Sequence, residues 1–316
     1  MADALTNTST VANALQAEYW QSQFLSVLEA NLLFSKFGIQ GQLPMGVGKS
    51  VFWKRFEKIG VSPTETVAAS GGKDPDAVAV SVNVVSAILR EFKQWVRVDR
   101  IWKDVSFPGT TDELVQRLAY DGALLADTTY RDSIFTAGGS AQIGGTAIAR
   151  TSMKRNGSFS MDVAELREAK KRLNKANVPT MANGLYVGIL NPDAEFDLQG
   201  DSSWTAIVYP TTEGINRAFQ GKTGAIFGTE FYLTTQAKNI TDGASAGASA
   251  NVAQTYIFGD EYYGTVTPRN VELIIKDPFP GSPLNSYSSY GYNLWTVGKQ
   301  LKSTRMVRIE TVNSAD

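Results

Sequence analysis

The chain has 316 residues, of which 43% are hydrophobic and 19% charged, with a formal net charge of -1. That is enough apolar material for a sizeable core in one or two domains, and it excludes a disordered or collagen-like chain. There is no cysteine and no histidine, which removes disulfides, thiolate and imidazole metal sites, cysteine nucleophiles and Ser-His-Asp triads, leaving carboxylate, lysine or tyrosine chemistry.

The near-neutral charge argues against a surface dedicated to nucleic acid. No run of about 18 apolar residues exists to span a membrane, and Met1 to Thr10 lacks the basic start and apolar run of a signal peptide. The protein is expected to work in the compartment where it is made.

In chain order, a polar start gives way to a helix predicted over Val11 to Phe37, where Trp20, Phe24, Leu28 and Leu32 recur every four residues on one face. Two β-patterned runs then flank a loop rich in Gly, Pro and Ser. The second, Val78 to Ile101, opens with Val78, Val80, Val82 and Val84 alternating against small or polar residues. Fully extended, it would reach about 80 Å at roughly 3.3 Å per residue. A compact chain of this length has a radius of gyration near about 20 Å, so a hairpin of that reach projects beyond its own core and needs a neighbour to lie on.

Next comes a long helix of about 25 residues and about 40 Å. Thr110 and Glu113 have capping-box spacing at its start, and Val115, Leu118, Gly122, Leu125, Tyr130 and Ile134 form its apolar face. Gly138, Gly139, Gly144 and Gly145 end it. A helix near Met161 to Lys175, a strand Tyr186 to Leu190 and a turn or short helix after Pro192 follow. Strands are then expected at Ala225 to Thr234, Gln254 to Phe258, Val271 to Ile275 and as a terminal pair across Tyr292 to Val312, while Asp242 to Ala250 reads as a mobile loop.

Three clusters carry candidate chemistry. Gly46, Gly48, Lys49 and Ser50 look like the end of a phosphate-binding loop. The glycine that motif needs is replaced by Leu43, Pro44 interrupts the loop, and Val51-Phe52-Trp53 continues as strand instead of helix. Asp193, Glu195, Asp197 and Asp201 could ligate a divalent cation, but Asn191-Pro192 is a helix start whose first turn favours acidic residues. The third cluster is the most charged part of the chain: Trp53, Lys54, Arg55, Glu57 and Lys58 on one arm, with Arg90, Glu91, Lys93, Arg97, Asp99 and Arg100 on the other. Mixed signs fit cross-strand pairing and recognition of a neighbouring subunit better than nucleic-acid binding, and a solvated sheet face is the plain alternative. The stripe holding Trp20 and Phe24 is either core or a contact with that same neighbour.

The ordered series of parts resembles the major capsid (coat) proteins of tailed bacteriophages. It comprises an N-terminal arm, a hairpin opening with Leu43-Pro44 to Gly48-Lys49 and Trp53-Lys54-Arg55-Phe56, and a long helix near Thr110. It continues through Leu166-Arg167, Ala169 to Leu173, Tyr186 to Pro192 with Asp197-Leu198, Gly221 to Gly228, Tyr256-Ile257-Phe258-Gly259 and Tyr292 to Ile309. Among them the series resembles the podovirus-like coat proteins with the Hong Kong phage-type fold.

That resemblance implies an α+β fold with an N-terminal arm (1–39), an extended hairpin loop (40–102), a peripheral domain with a spine helix (103–150, completed by C-terminal strands over about 265–316) and an axial domain (151–264). It implies no enzyme activity, no cofactor and no metal. It also implies self-assembly into pentamers and hexamers of an icosahedral virion head that encloses double-stranded DNA. Assembly would occur in the host bacterial cytoplasm with scaffolding, portal and decoration proteins and no membrane. Because the region before the hairpin is short, the scaffold is expected as a separate protein. Lysine–asparagine crosslinks known in some relatives are not carried over, since no matching pair is identified. A non-viral shell protein of the same fold, and an enzyme using Gly46 to Ser50, are the rivals.

Overall fold

The computed structural model describes residues 33–43, 48–56, 80–105, 110–136, 138–144, 149–154, 159–204, 224–244, 250–267, 272–277, 279–281 and 284–313. Most of the expected N-terminal helix, with Trp20 and Phe24, lies outside these residues, as do Gly46, Glu57, Lys58 and most of the Asp242 to Ala250 loop. Residues 34–37, the described end of that predicted helix, form a turn closed by Lys36 N–H donating to the Leu33 carbonyl at 3.1 Å.

The expected long helix, α2 (Thr110–Tyr130), follows a short α1 (Arg100–Val105). Its spacing buries Val115, Leu118, Ala119, Ala123, Ala126 and Tyr130 on one stripe, and Asp112 and Glu113 in its first turn complement the helix dipole. A π-turn, Arg131–Thr136, extends the stripe to buried Ile134 and Phe135 before the chain turns. Glycine is required there: a Cβ on Gly138 would stand 2.4 Å from the Ile134 carbonyl oxygen, and Gly139 has φ of 73°.

Helix α2 rests on a five-stranded sheet built around the 14-residue β13 (Tyr287–Gln300). One edge of β13 pairs with β4 (Arg90–Asp99), register Thr296 to Arg90 through Tyr287 to Asp99. The other edge pairs with β12 (Glu272–Lys276) over Ser289 to Asn293; β11 (Tyr263–Val266) pairs with the end of β13, Val297 to Gln300, and takes the short β1 (Ile39–Gln40) in parallel.

A seven-stranded sheet has the order β5 (Ser140–Ile143), β14 (Met306–Val312), β10 (Ala250–Phe258), β6 (Tyr186–Leu190), β8 (Thr229–Leu233) and β7 (Ala225–Ile226), with β9 (Asn239–Ala244) alongside β10. Its central strands are almost wholly buried because both faces are covered. On β10, Tyr256 and Phe258 join the core under α2, while Ala253 and Ile257 join a second core on the opposite face. That second core is closed by α3 (Val163–Lys175), through Val163, Leu166, Ala169 and Leu173, and by α4 (Pro192–Gly200). Asp162 caps α3 by accepting from Glu165 N–H at 2.8 Å, and Asn191 caps α4 by accepting from Asp193 N–H at 3.1 Å.

Two expectations change. The terminal strands are present, but β13 and β14 are not paired with each other: a 3-10 turn at Ser303–Arg305 carries the chain from one sheet to the other. The extended run from Val78 is also not one arm of a hairpin. It divides at Leu89 into β3 (Val82–Ile88), which pairs with β2 (Ser50–Phe56), and β4, which pairs with β13, and it ends in helix at Arg100. Leu89 packs beside Val51 and Val297 and donates its N–H to the Lys49 carbonyl, so burial fixes the break.

Candidate assembly interface

The hairpin β2–β3 has two unlike faces, because alternate residues point to opposite sides of a strand. Inward, Val51 and Ala87 pack on Val266 and Val297, with Trp53 and Leu89 at the margin. Trp53 needs the bare backbone of Gly264, where a Cβ would lie 2.5 Å from the indole nitrogen. Arg55 donates to the Leu301 carbonyl and completes the anchor. Outward, Phe52 and Phe56 stand 62% and 72% exposed beside Val82, Val84 and Ile88. Among the described residues nothing covers this apolar side, and Lys54 is the one charge on it.

This arrangement revises the charged-arm reading. Lys54 stands opposite Val84 and Arg55 opposite Asn83, so neither faces the charges of 90–100. Glu91, Lys93, Arg97 and Asp99 lie instead on the outer face of β4, where side chains two residues apart neutralise each other: Lys93 with Glu91 at 2.8 Å and Arg97 with Asp99 at 2.9 Å. Glu91 also accepts from the Asn293 amide and the Trp295 indole, and with the Lys93 hydrogen bond foremost these hold its carboxyl below the usual range. Arg97 lies over the Tyr287 ring at 4.0 Å. Arg90 and Arg100 are exposed. Between the charge pairs, Trp95 (62% exposed) and Ile274 flank Gly291 to make an apolar row across three strands.

The apolar residues of the outer hairpin face were missed as contacts in the sequence reading. Their signal was present in the alternation Phe52, Lys54, Phe56 and Val82, Val84, which marks one face but not whether that face is covered.

Where the N-terminal segment enters, buried Asp127 of α2 accepts from Leu33 N–H at 2.9 Å and Phe34 N–H at 3.3 Å. Burial pushes its carboxyl up to about 6, against the pull of these two amides. Phe34 is fully buried against Phe135 and Tyr256, and its carbonyl accepts from the Tyr263 hydroxyl. Elsewhere, buried Glu310 is held by Arg150, Arg308 and Gln254. Burial acts to raise its carboxyl, yet the Arg150 hydrogen bond and charge and the Arg308 charge keep it below the usual range.

Chemistry of other kinds finds little support. Ser50 opens a strand, so the phosphate-loop context is absent. Among the described residues no group of three His, Cys, Asp or Glu side chains could hold a metal, and no helix is long and apolar enough to cross a membrane.

A hairpin leaving a sheet that carries a long helix, beside a second layered sheet, is a fold shared with solved phage capsid structures. The chain is similar to the capsid of Ralstonia phage GP4 (13% identity, TM-score 0.69, 89% of this chain and 88% of that one). It is similar to the capsid of Cyanophage P-SCSP1u (12% identity, TM-score 0.65, 90% and 89%). It also resembles the virus-like particle from Pyrococcus furiosus (11% identity, TM-score 0.53, 93% and 99%). No family model and no curated protein matches the sequence.

Proposed function

We propose that this protein is a structural shell subunit, the major capsid protein of a tailed phage, and not an enzyme. The observation that carries the reading is the uncovered apolar face of the β2–β3 hairpin on a capsid fold. A monomer gains nothing from exposing Phe52, Phe56 and Ile88 together, whereas a subunit whose hairpin lies on its neighbour buries them. Each such contact is modest after ordering losses, but closed symmetry holds every subunit by several neighbours at once.

Within this proposal the subunits form pentamers and hexamers of an icosahedral head that encloses double-stranded DNA. The head assembles in the host cytoplasm with scaffolding, portal and decoration proteins. Residues 151–264 form the axial domain, and Trp20, Phe24, Glu57 and Lys58 add to the contacts of the hairpin. The test is negative-stain electron microscopy and mass measurement of the purified protein, expressed with and without its neighbouring genes. Closed shells or five- and six-subunit rings are expected; a persistent monomer in both cases refutes the reading. The likeness to the Pyrococcus furiosus virus-like particle favours one rival, a non-viral shell around protein cargo. Nuclease-protected DNA inside particles from infected cells decides against it.

A further inference from the structure

A cavity of about 330 Å³ opens where the base of the hairpin meets the end of α2 and β13. Its wall includes Ser86, Ile88, Arg90, Ser133, Thr296 and Lys299. No acidic residue lines it. Arg90 and Lys299 are exposed, and among the described residues neither side chain has an ion-pair or hydrogen-bond partner. The Thr296 hydroxyl is already tied to Tyr130. The result is a concave site with two uncompensated cations, hydroxyl groups and one apolar side, which suits a carboxylate on an aliphatic stem.

We infer that this cavity receives an acidic side chain from the hairpin tip of a second copy of the chain. The inference rests on the shell-subunit reading and names the receptor for its hairpin. Two observations select this occupant. Residues 57–79, which lie outside the described structure, carry Glu57, Glu65, Asp74 and Asp76 against only Lys58 and Lys73, so the tip is net acidic and complements the cavity. The second is geometry. Ile88 pairs with Ser50 at the base of the hairpin and Val82 with Phe56 at its far end, so seven paired residues carry a chain's own tip about 20 Å from its own cavity. A chain's own acidic residues would have to double back over that distance to reach its own cavity, whereas a neighbour's cavity can be met by a tip that continues outward.

Particles assembled from equal amounts of ¹⁴N- and ¹⁵N-labelled chains and treated with a carbodiimide report the contact directly. Mass spectrometry is expected to find an amide joining Lys299 to Glu65, Asp74 or Asp76, with light linked to heavy chains. Lys299 left unlinked, linked only within one chain or linked to other acidic segments overturns the inference. Independently, R90E/K299E is expected to melt like the parent subunit, since both side chains are exposed, and to need about tenfold more protein to assemble. Adding E65K/D74K/D76K restores assembly. Normal shells from R90E/K299E, or no restoration by the tip reversal, overturn the inference while leaving the shell reading intact. A parent chain that never assembles overturns both.

Discussion

Replacing Phe52 and Phe56 by serine tests the shell reading where it is most exposed to failure. Full burial of a phenylalanine side chain is worth roughly 1.5–3 kcal/mol. With 62% and 72% of these residues open to solvent in the isolated subunit, burial against a neighbour is worth about 3 kcal/mol per subunit for the pair. Because a tenfold change in an equilibrium constant is about 1.4 kcal/mol, F52S/F56S is expected to raise the subunit concentration needed for assembly by about two decades. The fold itself is expected to be untouched, since neither ring belongs to a core cluster. Assembly is read by light scattering and sedimentation across a protein dilution series, with subunit melting as the control. Unchanged assembly at equal concentration would refute the claim that this face is an interface. Loss of subunit melting stability would show instead that the two rings pack on the subunit's own chain.

Three further outcomes follow from the same contacts. Deleting 62–76 is expected to leave a folded subunit that fails to form normal particles, judged by circular dichroism and electron microscopy; normal particles from the deletion count against the hairpin's role. Asp127 has a carboxyl raised to about 6 from an ordinary 3.8, so burial of its ionised form is unfavourable. This penalty is absent below about pH 4, grows as pH rises from 4 to 6, and levels off near about 3 kcal/mol above that. Unfolding free energies of D127N and the parent subunit are therefore expected to diverge in favour of D127N across this window, and a pH-independent difference refutes the assignment. Glu310→Gln strips the negative charge from beside Arg150 and Arg308 and is expected to destabilise the subunit by about 3–5 kcal/mol in denaturant titration.

The elements most legible in the sequence are those whose burial is set by local periodicity. The long helix α2 was readable because Val115, Leu118, Tyr130 and Ile134 repeat along one stripe, and the strand Tyr186–Leu190 because five buried residues in a row fit only a central strand. Partner choice was not readable, because it is decided by residues far away in the chain. Nothing local tells β14 to pair with β10 instead of β13, or tells the run from Val78 to exchange partners at Leu89. The same limit applies to the interface. The charges of β4 stood out by composition, yet they close on one another, while the Phe52 and Phe56 face had the alternation of an ordinary buried strand.

The central strand β10 places alternate residues in two separate cores, Tyr256 and Phe258 in one and Ala253 and Ile257 in the other. A slip of one residue against β14 would send the large rings into the space of the small residues, and the small residues into the space of the rings. Neither half of the subunit can therefore settle correctly while the other is out of step. The strand acts as a common ruler, so a subunit that completes either core has already checked the alignment of both.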